Sequence, residues 1–421
     1  MRLPLTAAAA SVLLAVGGAV ASPAVSVAAA APAPALSGAP RPTPKRPTLP
    51  VPRATVDPRL SVGGERLASM GLVVDRPSDV PPPPALKDVS WVLAELATGE
   101  VVAAKAAHAR LLPASTLKTL TALTLIPRVD PARAYTATAT DANADGTRVG
   151  VLPGQTYTGR QLFEAMLMAS GNDAAYALAR VGGGRDATLA AMNAEARRLG
   201  AHDTVAKDPS GLDAPGQTSS AYDLALIGRA ALELPAFRTY VTTKHTSFPG
   251  RAGKGGKRPT YVVSNHNRLL YNYAGTIGVK NGYTIAAKRT YISAVSRGGK
   301  SYILTEMYGL DSSWRPQAAM YDWAFRYADR VRPVGQLVEP GTVTQPPAPA
   351  TPTAAPGVGE AAGPTGAAPG ESRHADAAAI PAWGLADEGL APWVGVAALS
   401  AAVLLVALMA LRAITRTRRS H

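Results

Sequence analysis

Cysteine is absent from the 421-residue chain, and histidine occurs only six times. Without cysteine there is no disulfide, no thiolate metal ligand and no thiol nucleophile, so the fold must be held by packing alone. Four of the histidines show no metal-ligand spacing, and we interpret them as surface or structural residues: His108, His202, His245 and His266. The sequence indicates neither a metal nor a nucleotide cofactor.

Acidic residues are few relative to basic ones: 29 Asp and Glu against 43 Lys and Arg, for a formal net charge of +14. Residues 86–335 alone contain 30 basic and 19 acidic residues. A basic exported domain suits an anionic partner such as a cell wall or an anionic lipid surface. A basic surface that is merely solvated is the alternative. No nucleic-acid-binding motif is present, so we expect no nucleic-acid partner.

The N-terminal part of the chain has the composition of an export signal followed by a spacer. Residues 1–21 combine one positive charge, an apolar run and small residues at Ala19 and Ala21, which is typical of a secretory signal peptide. A membrane anchor is the alternative, but the apolar run is short and rich in alanine. Residues 22–85 are rich in Pro and Ala, as are residues 336–390. Such compositions predict disordered spacers.

An apolar run near the C-terminus predicts one transmembrane helix over residues 391–411. From Trp393 to Leu411 the residues are uncharged and mostly apolar, and as a helix they would span roughly 28 Å, close to the thickness of a bilayer core. A buried core helix is the alternative. The basic tail, residues 412–421, is expected to stay in the cytoplasm. The chain is therefore predicted to be a single-pass protein of the cell membrane with its folded domain outside the cell.

Residues 86–335 are expected to form the folded domain, and the motifs described below lie within it. Alternating apolar residues around Thr98-Gly99 predict two strands joined by a turn. Apolar spacings of three and four predict helices over 113–126, on both sides of Ser170-Gly171-Asn172, before Gly200 and after Ser219 or Ser220. Strands are predicted over 261–265, 275–280, 290–295 and 302–308, before a closing helix. This order predicts an α+β fold, an antiparallel sheet packed with a helical cluster.

Within the helix predicted over 113–126, Ser115 and Lys118 lie three residues apart and therefore on one face. A serine hydroxyl is a weak nucleophile until a base accepts its proton. A desolvated lysine has a lowered pKa and can be that base. The pair alone is weak support for nucleophilic catalysis, because Ser-x-x-Lys occurs by chance in chains of this length.

Two further motifs follow, Ser170-Gly171-Asn172 at a helix break and Lys280-Asn281-Gly282 at the end of a predicted strand. At the break, a hydroxyl can pass a proton to a leaving amine, and a carboxamide can orient a lysine. At the strand, a substrate can pair with the edge while Gly282 permits a close backbone approach. The alternatives are a simple helix break capped by Asn172 and a surface hairpin turn.

In this order the three motifs resemble those of the serine acyl-transferases that bind penicillin, namely Ser-x-x-Lys, Ser-Asp-Asn and Lys-Thr-Gly. Residues 88–330 resemble the D-alanyl-D-alanine carboxypeptidases, the low-molecular-weight penicillin-binding proteins, in LPASTLKTLTALTL, MLMASGNDAAYALA, DPSGLDAPGQTSSAYDLALIGRAAL and IGVKNGYTIAAKRTY. The resemblance implies a fold like that of β-lactamases and penicillin-binding transpeptidases. It also implies removal of the terminal D-alanine from peptidoglycan stem peptides, and covalent inhibition by β-lactam antibiotics.

The resemblance further implies a role for each motif residue. Ser115 would attack the carbonyl between the last two D-alanines, with Lys118 as its general base and Ser170 as the proton relay. Asn172 would position Lys118 and the peptide, and Lys280 would supply charge near the terminal carboxylate. The backbone N–H groups of Ser115 and Tyr283 would form the oxyanion hole. Further substrate contacts are expected from three residues: Asn281, Gly282 and Thr284.

Asn281 departs from the family pattern, which usually has threonine at this position. An asparagine amide can donate a similar hydrogen bond to a carboxylate, and Thr284 is nearby. We therefore expect the difference to affect substrate preference and β-lactam affinity more than acylation.

Other functions are compatible with parts of this pattern. A serine β-lactamase shares the motifs, but the Glu-x-x-Leu-Asn stretch used by one class is absent. A transpeptidase or an endopeptidase that cuts cross-links would use the same residues. A non-catalytic wall-binding module is expected to have lost Ser115 or Lys118, and both are present.

Asp141, Asn143 and Asp145 resemble the start of a calcium-binding loop, but the later glutamate of such a loop is missing. We interpret the segment as a polar turn. The abundance of Ala, Pro and Arg, together with a wall substrate and one C-terminal span, is typical of a Gram-positive actinobacterial protein.

Overall fold

The computed structural model describes residues 58–253 and 255–343. The predicted signal peptide, transmembrane helix and basic tail lie outside these residues, as do residues 22–57 and 344–390 of the predicted spacers. Within the described ranges, no helix is both long enough and apolar enough to cross a membrane.

The strands of the described chain form one large antiparallel sheet and two small ones. In chain order they are β1 (Leu72–Val74), β2 (Asp88–Glu95), β3 (Glu100–Lys105), β4 (Ala134–Thr136), β5 (Thr156–Thr158), β6 (His245–Pro249), β7 (Thr260–Ser264), β8 (Thr276–Thr284), β9 (Lys288–Arg297), β10 (Lys300–Gly309) and β11 (Gly335–Gln336). The large sheet has the order β1-β3-β2-β10-β9-β8, and β11 pairs with β3. β4 pairs with β5, and β6 pairs with β7. β8 therefore forms one edge of the large sheet.

The helices of the described chain fall mostly between β3 and β6. They are α1 (Lys118–Leu125), α2 (Ala139–Ala142), α3 (Gly159–Met168), α4 (Asn172–Val181), α5 (Arg185–Arg198), α6 (Ala221–Glu233), α7 (Pro235–Thr242), α8 (Arg268–Asn272) and α9 (Arg315–Tyr327). α6 packs against β2 and β10, and α1 packs against both α5 and α6. This arrangement places α1 inside the helical cluster.

Alternation along the strands divides the apolar core into two layers. In β2, Val92 and Ala94 belong to the core shared with the helical cluster, whereas Trp91 and Leu93 belong to the core shared with α9. The large sheet thus lies between the helical cluster and α9. The predicted α+β fold with an antiparallel sheet is confirmed.

Two local predictions are also confirmed. Thr98-Gly99 joins β2 to β3, and Gly99 has a φ of +76°, a backbone conformation that favours glycine. Ser220 caps α6, because its side chain accepts a hydrogen bond from the Asp223 backbone N–H.

The predicted boundaries of the catalytic domain are wrong at both ends. Residues 58–85 do not form a spacer: β1 pairs with β3, Leu67 is 1% exposed, and Trp323 Nε1 donates to Pro81 O at 2.9 Å. At the other end Leu337 is fully buried, beyond the predicted end at residue 335. Composition misled the prediction because prolines in an extended segment can still pack against a sheet and accept hydrogen bonds.

Several short elements were not predicted from the sequence: α2, α7, α8, β1, β4, β5, β6 and β11. None of them exceeds eight residues. Two turns of helix, or a few strand residues, are too short to show a reliable hydrophobic period. Their positions depend on the surfaces against which they pack.

Leu67→Ala tests whether the residues before 86 belong to the folded domain. Leu67 is buried, so the variant should leave a cavity and lower the free energy of unfolding by about 2–5 kcal/mol. Leu60, which is 48% exposed, provides the matched control, and Leu60→Ala should change that free energy by less than about 0.5 kcal/mol. Urea denaturation of both variants measures the difference. Equal stabilities would contradict the placement of this segment.

Candidate active site

Ser115 and Lys118 meet at a 3-10 turn. The turn spans Ala114–Leu117 and runs directly into α1, whose first residue is Lys118. Side chains three residues apart eclipse each other in 3-10 geometry, which brings this pair together. Ser115 Oγ and Lys118 Nζ lie 2.8 Å apart. The predicted pairing is present, although a 3-10 turn replaces the first part of the helix predicted over 113–126.

Lys118 is completely buried, and its Nζ atom contacts two carbonyl oxygens besides Ser115 Oγ. It donates to Asn172 Oδ1 at 2.7 Å and to the backbone O of Ser210 at 2.7 Å. Both partners can only accept hydrogen bonds, so they determine which way the N–H groups of Lys118 point. One side of the nitrogen is left facing Ser115.

The electrostatics around Lys118 favour the neutral amine. Burial lowers its pKa well below the usual value, and the charge of Lys280 lowers it further, against the opposing effects of Asp208 and Asp173. A neutral amine has two N–H donors and one lone pair. With both donors directed to carbonyl oxygens, the lone pair faces the Ser115 hydroxyl and can accept its proton.

Asn172 and Ser170 lie at the junction of α3 and α4, as the motif predicts. Asn172 is the first residue of α4, and its Nδ2 donates to Asp145 O at 2.6 Å. Ser170 lies in the bend before it, with a φ of +62°, a strained conformation for a residue with a side chain. Its side chain is buried and has no hydrogen-bond partner among the described residues. The hydroxyl is therefore available to a substrate or to a neighbouring group.

Asp173 holds the loop formed by residues 143–151 against the start of α4. Its carboxylate accepts hydrogen bonds from the backbone N–H groups of Val149, Gly150 and Val151, at 3.1, 2.9 and 2.9 Å. The same loop supplies the carbonyl of Asp145 that orients the Asn172 amide. The loop thus acts on Lys118 through Asn172.

Gly282 allows β8 to pass directly beside the serine turn. A Cβ atom at this position would lie 2.6 Å from the Ser115 backbone N and 3.0 Å from Ala114 Cβ. Both distances are too short for a side chain, so glycine is required for the approach. Thr290 on β9 also holds the turn, because its Oγ1 donates to Pro113 O at 2.8 Å.

Lys280, on β8, is buried, and its Nζ donates to Asn281 O at 2.6 Å. Burial lowers the pKa of Lys280 to about 7. The Asn281 side chain is half-buried and has no hydrogen-bond partner in the described part of the chain, whereas Tyr283 is 63% exposed. The amide of Asn281 can therefore donate to a bound carboxylate.

Thr284 differs from the other predicted substrate contacts because its hydroxyl is already engaged. It donates to Asp213 Oδ1 at 3.0 Å and accepts a hydrogen bond from Ala287 N at 2.9 Å. Thr284 therefore joins β8 to the loop of residues 208–219. In this arrangement Asn281, the middle residue of the third motif, offers a hydrogen-bond donor that Thr284 does not.

Ser210 is a site residue that the motif analysis did not single out. Its backbone O binds Lys118, and its backbone N–H donates to Asp208 Oδ1 at 2.7 Å. Gly211 follows with a φ of +81°, and a Cβ there would lie 2.0 Å from Ala114 O. The signal in the sequence was the turn-forming Asp-Pro-Ser-Gly run, which does not reveal where the turn packs.

Asp141, from the segment that resembles the start of a calcium-binding loop, and His108 both have structural contacts. Asp141 lies in α2, where it forms a capping box with Thr138, and it forms an ion pair with Arg180 at 2.9 Å, so the segment interpreted as a polar turn begins as a short helix. His108 contacts Asp203 through Nδ1 at 2.7 Å and Val62 O through Nε2 at 3.0 Å. Both nitrogens of His108 donate in this arrangement, which leaves no lone pair for a metal.

The described domain is similar in sequence to known peptidases. The model of a protein family described as D-alanyl-D-alanine carboxypeptidase matches residues 78–309. The D-alanyl-D-alanine carboxypeptidase DacB2 of Mycobacterium tuberculosis is 40% identical over 243 residues, which cover 56% of this chain and 81% of that protein.

Solved structures show the same fold. A crystal structure of D-alanyl-D-alanine carboxypeptidase from Mycobacterium tuberculosis H37Rv matches with a TM-score of 0.58 and 38% identity, covering 62% of this chain and 99% of that one. The Streptomyces K15 DD-transpeptidase matches with a TM-score of 0.54 and 27% identity, covering 59% of this chain and 99% of that one.

Asp173→Ala should release the loop of residues 143–151. The substitution leaves three backbone N–H groups without their charged acceptor, so amide hydrogen exchange at residues 149–151 should accelerate by at least about tenfold. Asp145→Ala is the matched control, because this exposed residue contributes only its backbone O to the site. Mass-spectrometric hydrogen exchange measures both variants. Unchanged exchange in Asp173→Ala would show that the carboxylate does not hold the loop.

Proposed function

This chain belongs to the D-alanyl-D-alanine carboxypeptidase family, and from that premise we propose which of its residues carry out the reaction. The chain is a serine-type carboxypeptidase, a hydrolase that acts on the D-alanyl-D-alanine end of peptidoglycan stem peptides. The observation that carries the assignment of roles is the 2.8 Å contact between Ser115 Oγ and the buried Nζ of Lys118.

Acylation begins with proton transfer from Ser115 to Lys118. The lone pair of the neutral Lys118 amine accepts the hydroxyl proton as Ser115 Oγ attacks the carbonyl carbon between the last two D-alanines. The new Oγ–C bond forms first, and the C–N bond to the terminal D-alanine then breaks. The proton held by Lys118 passes to the leaving amine, with the Ser170 hydroxyl as the relay. Water then attacks the acyl-enzyme, and the shortened peptide leaves.

The oxyanion of the tetrahedral intermediate is stabilised by backbone N–H groups of Ser115 and Tyr283. The close approach of Gly282 to the Ser115 backbone N supports this assignment, because it places β8 beside the serine turn. One such donor typically contributes about 3 kcal/mol to the stabilisation of the transition state. The substrate peptide pairs with β8 at the edge of the sheet.

The terminal carboxylate of the substrate is held by Lys280 and Asn281. Lys280 supplies the positive charge, and the Asn281 amide donates the hydrogen bond for which the family usually has a threonine hydroxyl. The free donor of Asn281 and the engaged hydroxyl of Thr284 support this division of roles. Asn172 orients both Lys118 and the backbone of the bound peptide.

Transpeptidation is the second candidate reaction. It uses the same acyl-enzyme, but an amine of a neighbouring stem peptide replaces water. The structural similarity to a DD-transpeptidase supports transpeptidation as a second candidate. Product analysis with and without an amine acceptor distinguishes the two reactions.

The cellular location is proposed from the sequence alone. Residues 1–21 direct export, and residues 391–411 span the cell membrane, so that the catalytic domain faces the wall outside the cell. The peptidoglycan substrate is then within reach of the catalytic domain, which the membrane span holds at the cell surface.

Ser115→Ala should abolish covalent labelling by a fluorescent penicillin. The wild-type protein is expected to form an adduct that survives denaturation, because the β-lactam acylates Ser115 through an ester bond. Ser210→Ala is the matched control: only the backbone O of Ser210 contacts Lys118, so labelling should persist. Gel fluorescence reports the adduct. A Ser115→Ala variant that still labels would assign the nucleophile to another residue.

Lys280 should set the alkaline limb of the pH profile of kcat/KM. Its pKa is lowered to about 7 by burial, so its positive charge is present below that pH and lost as the pH rises through it. Binding of the substrate carboxylate should weaken accordingly, and kcat/KM should fall by up to about tenfold per pH unit above 7. In Lys280→Arg, which keeps its charge, this limb should disappear. A wild-type profile that stays level from pH 6 to 9 would exclude this role.

A further inference from the structure

One long part of the sequence contains no acidic residue at all. Between Glu233 and Glu306 there are 72 residues without Asp or Glu, and they include 12 Lys and Arg. This stretch covers α7, α8 and β6 to β9, and it ends in β10. The basic charge of the domain is therefore concentrated on one part of the fold, which includes the strand that carries Lys280.

The hairpin of β6 and β7 lies beside the active site. At the base of the hairpin, His266 N donates to Met168 O at 2.8 Å, two residues before Ser170. Desolvation lowers the pKa of the His266 imidazole, and the nearby charge of Lys280 lowers it further. Further along, the Tyr261 hydroxyl donates to Val149 O, in the loop that positions Asn172. The hairpin thus lies against both the end of α3 that precedes Ser170 and the loop that positions Asn172.

The hairpin and the start of α8 expose several basic side chains. Arg251, Lys257 and Arg268 are exposed, and their side chains have no hydrogen-bond or ion-pair partner among the described residues. Lys244 is exposed and stacks on the Tyr271 ring at 5.6 Å. The carboxylate that contacts the hairpin, Glu164, is buried and accepts a hydrogen bond from Thr246 at 2.7 Å, so it does not neutralise the exposed charges.

Exposed rings and an aliphatic side chain lie among these charges. Tyr261 is 41% exposed, Val262 67% and Tyr271 40%. We call this surface, with Lys244, Arg251, Lys257 and Arg268, the basic hairpin face. Positive charges spaced along an extended ribbon match a polymer with repeated negative charges better than a single small anion.

We propose that the basic hairpin face binds the carboxylates of neighbouring stem peptides in polymeric peptidoglycan, while one stem occupies the active site. This inference rests on the proposed function, because each stem peptide with an unlinked end carries a free carboxylate, both before and after trimming, and the strand is therefore a polyanion. The continuity of the face with Lys280 favours the same polymer as its partner over an anionic lipid surface. The enzyme consequently prefers polymeric substrate to a short peptide with the same end.

The test compares two substrates: intact peptidoglycan stripped of attached glycopolymers, and a short acylated peptide ending in D-Ala-D-Ala. The variant Arg251→Glu/Lys257→Glu/Arg268→Glu reverses the charge at three positions of the basic hairpin face. The control Arg128→Glu/Arg197→Glu/Arg332→Glu makes the same change in net charge at three exposed arginines on other elements. Released D-alanine is measured for the full-length protein in detergent, and circular dichroism confirms that each variant is folded.

The ratio of kcat/KM for the polymer to kcat/KM for the short peptide should fall by about tenfold in the face variant and by less than twofold in the control. In the wild type the same ratio should fall as salt rises from 50 to 300 mM, because exposed charges are screened. Equal ratios in the two variants would overturn the proposal, and so would an effect seen only on unstripped walls or only in binding to anionic vesicles. If the wild type failed to cleave the short peptide, the proposed function itself would fail, which is a separate result.

Discussion

The burial of one nitrogen atom, Lys118 Nζ, is the constraint on which the site depends. A buried amine must satisfy its hydrogen bonds inside the protein, and here the partners come from three separate parts of the chain. Ser115 comes from the 3-10 turn, Asn172 from the start of α4, and Ser210 from the loop of residues 208–219. Other contacts hold each of these three segments in place, so the position of Lys118 Nζ depends on how the helical cluster packs.

The segments around Lys118 contain strained backbone conformations and unusually close contacts. Ala114 and Ser170 both have positive φ angles, of +47° and +62°, and each adjoins a site residue or is one. Gly211 and Gly282 stand where any side chain would collide with the serine turn. Conformations of this kind persist only where the surrounding packing holds them. The rigid sheet and helical cluster provide that packing, so the reacting groups stay in position before the substrate arrives.

Charge is distributed unevenly between the inside and the outside of the domain. Among the described residues, the buried ionisable side chains are mostly acidic: Asp88, Asp141, Glu164, Asp173, Asp203, Asp208, Asp223 and Glu306. Two lysines are buried with them, Lys118 and Lys280. Several of the buried carboxylates bind backbone N–H groups or arginines and so hold loops in place, as Asp173 does. The surface is left more basic than the composition alone implies, because more acidic than basic side chains are buried.

Local features of the fold and the site could be predicted from the sequence. The Ser115 and Lys118 spacing, the break at Ser170 and the alternation in β2 depend on residues that are close together in the chain, so a short pattern can encode them directly. Gly282 was predicted from its motif, although the contact with Ser115 that requires it is a long-range one. Three contacts could not be predicted from the sequence: the packing of residues 58–85 against β3, the contact between Ser210 and Lys118, and the hydrogen bond from Thr284 to Asp213. These contacts join residues far apart in the chain, and they depend on which surfaces the packed sheet and helices present. The sequence by itself determined the reacting groups and their order, whereas the tertiary structure decided their distances and protonation, because burial and long-range contacts exist only in the folded chain.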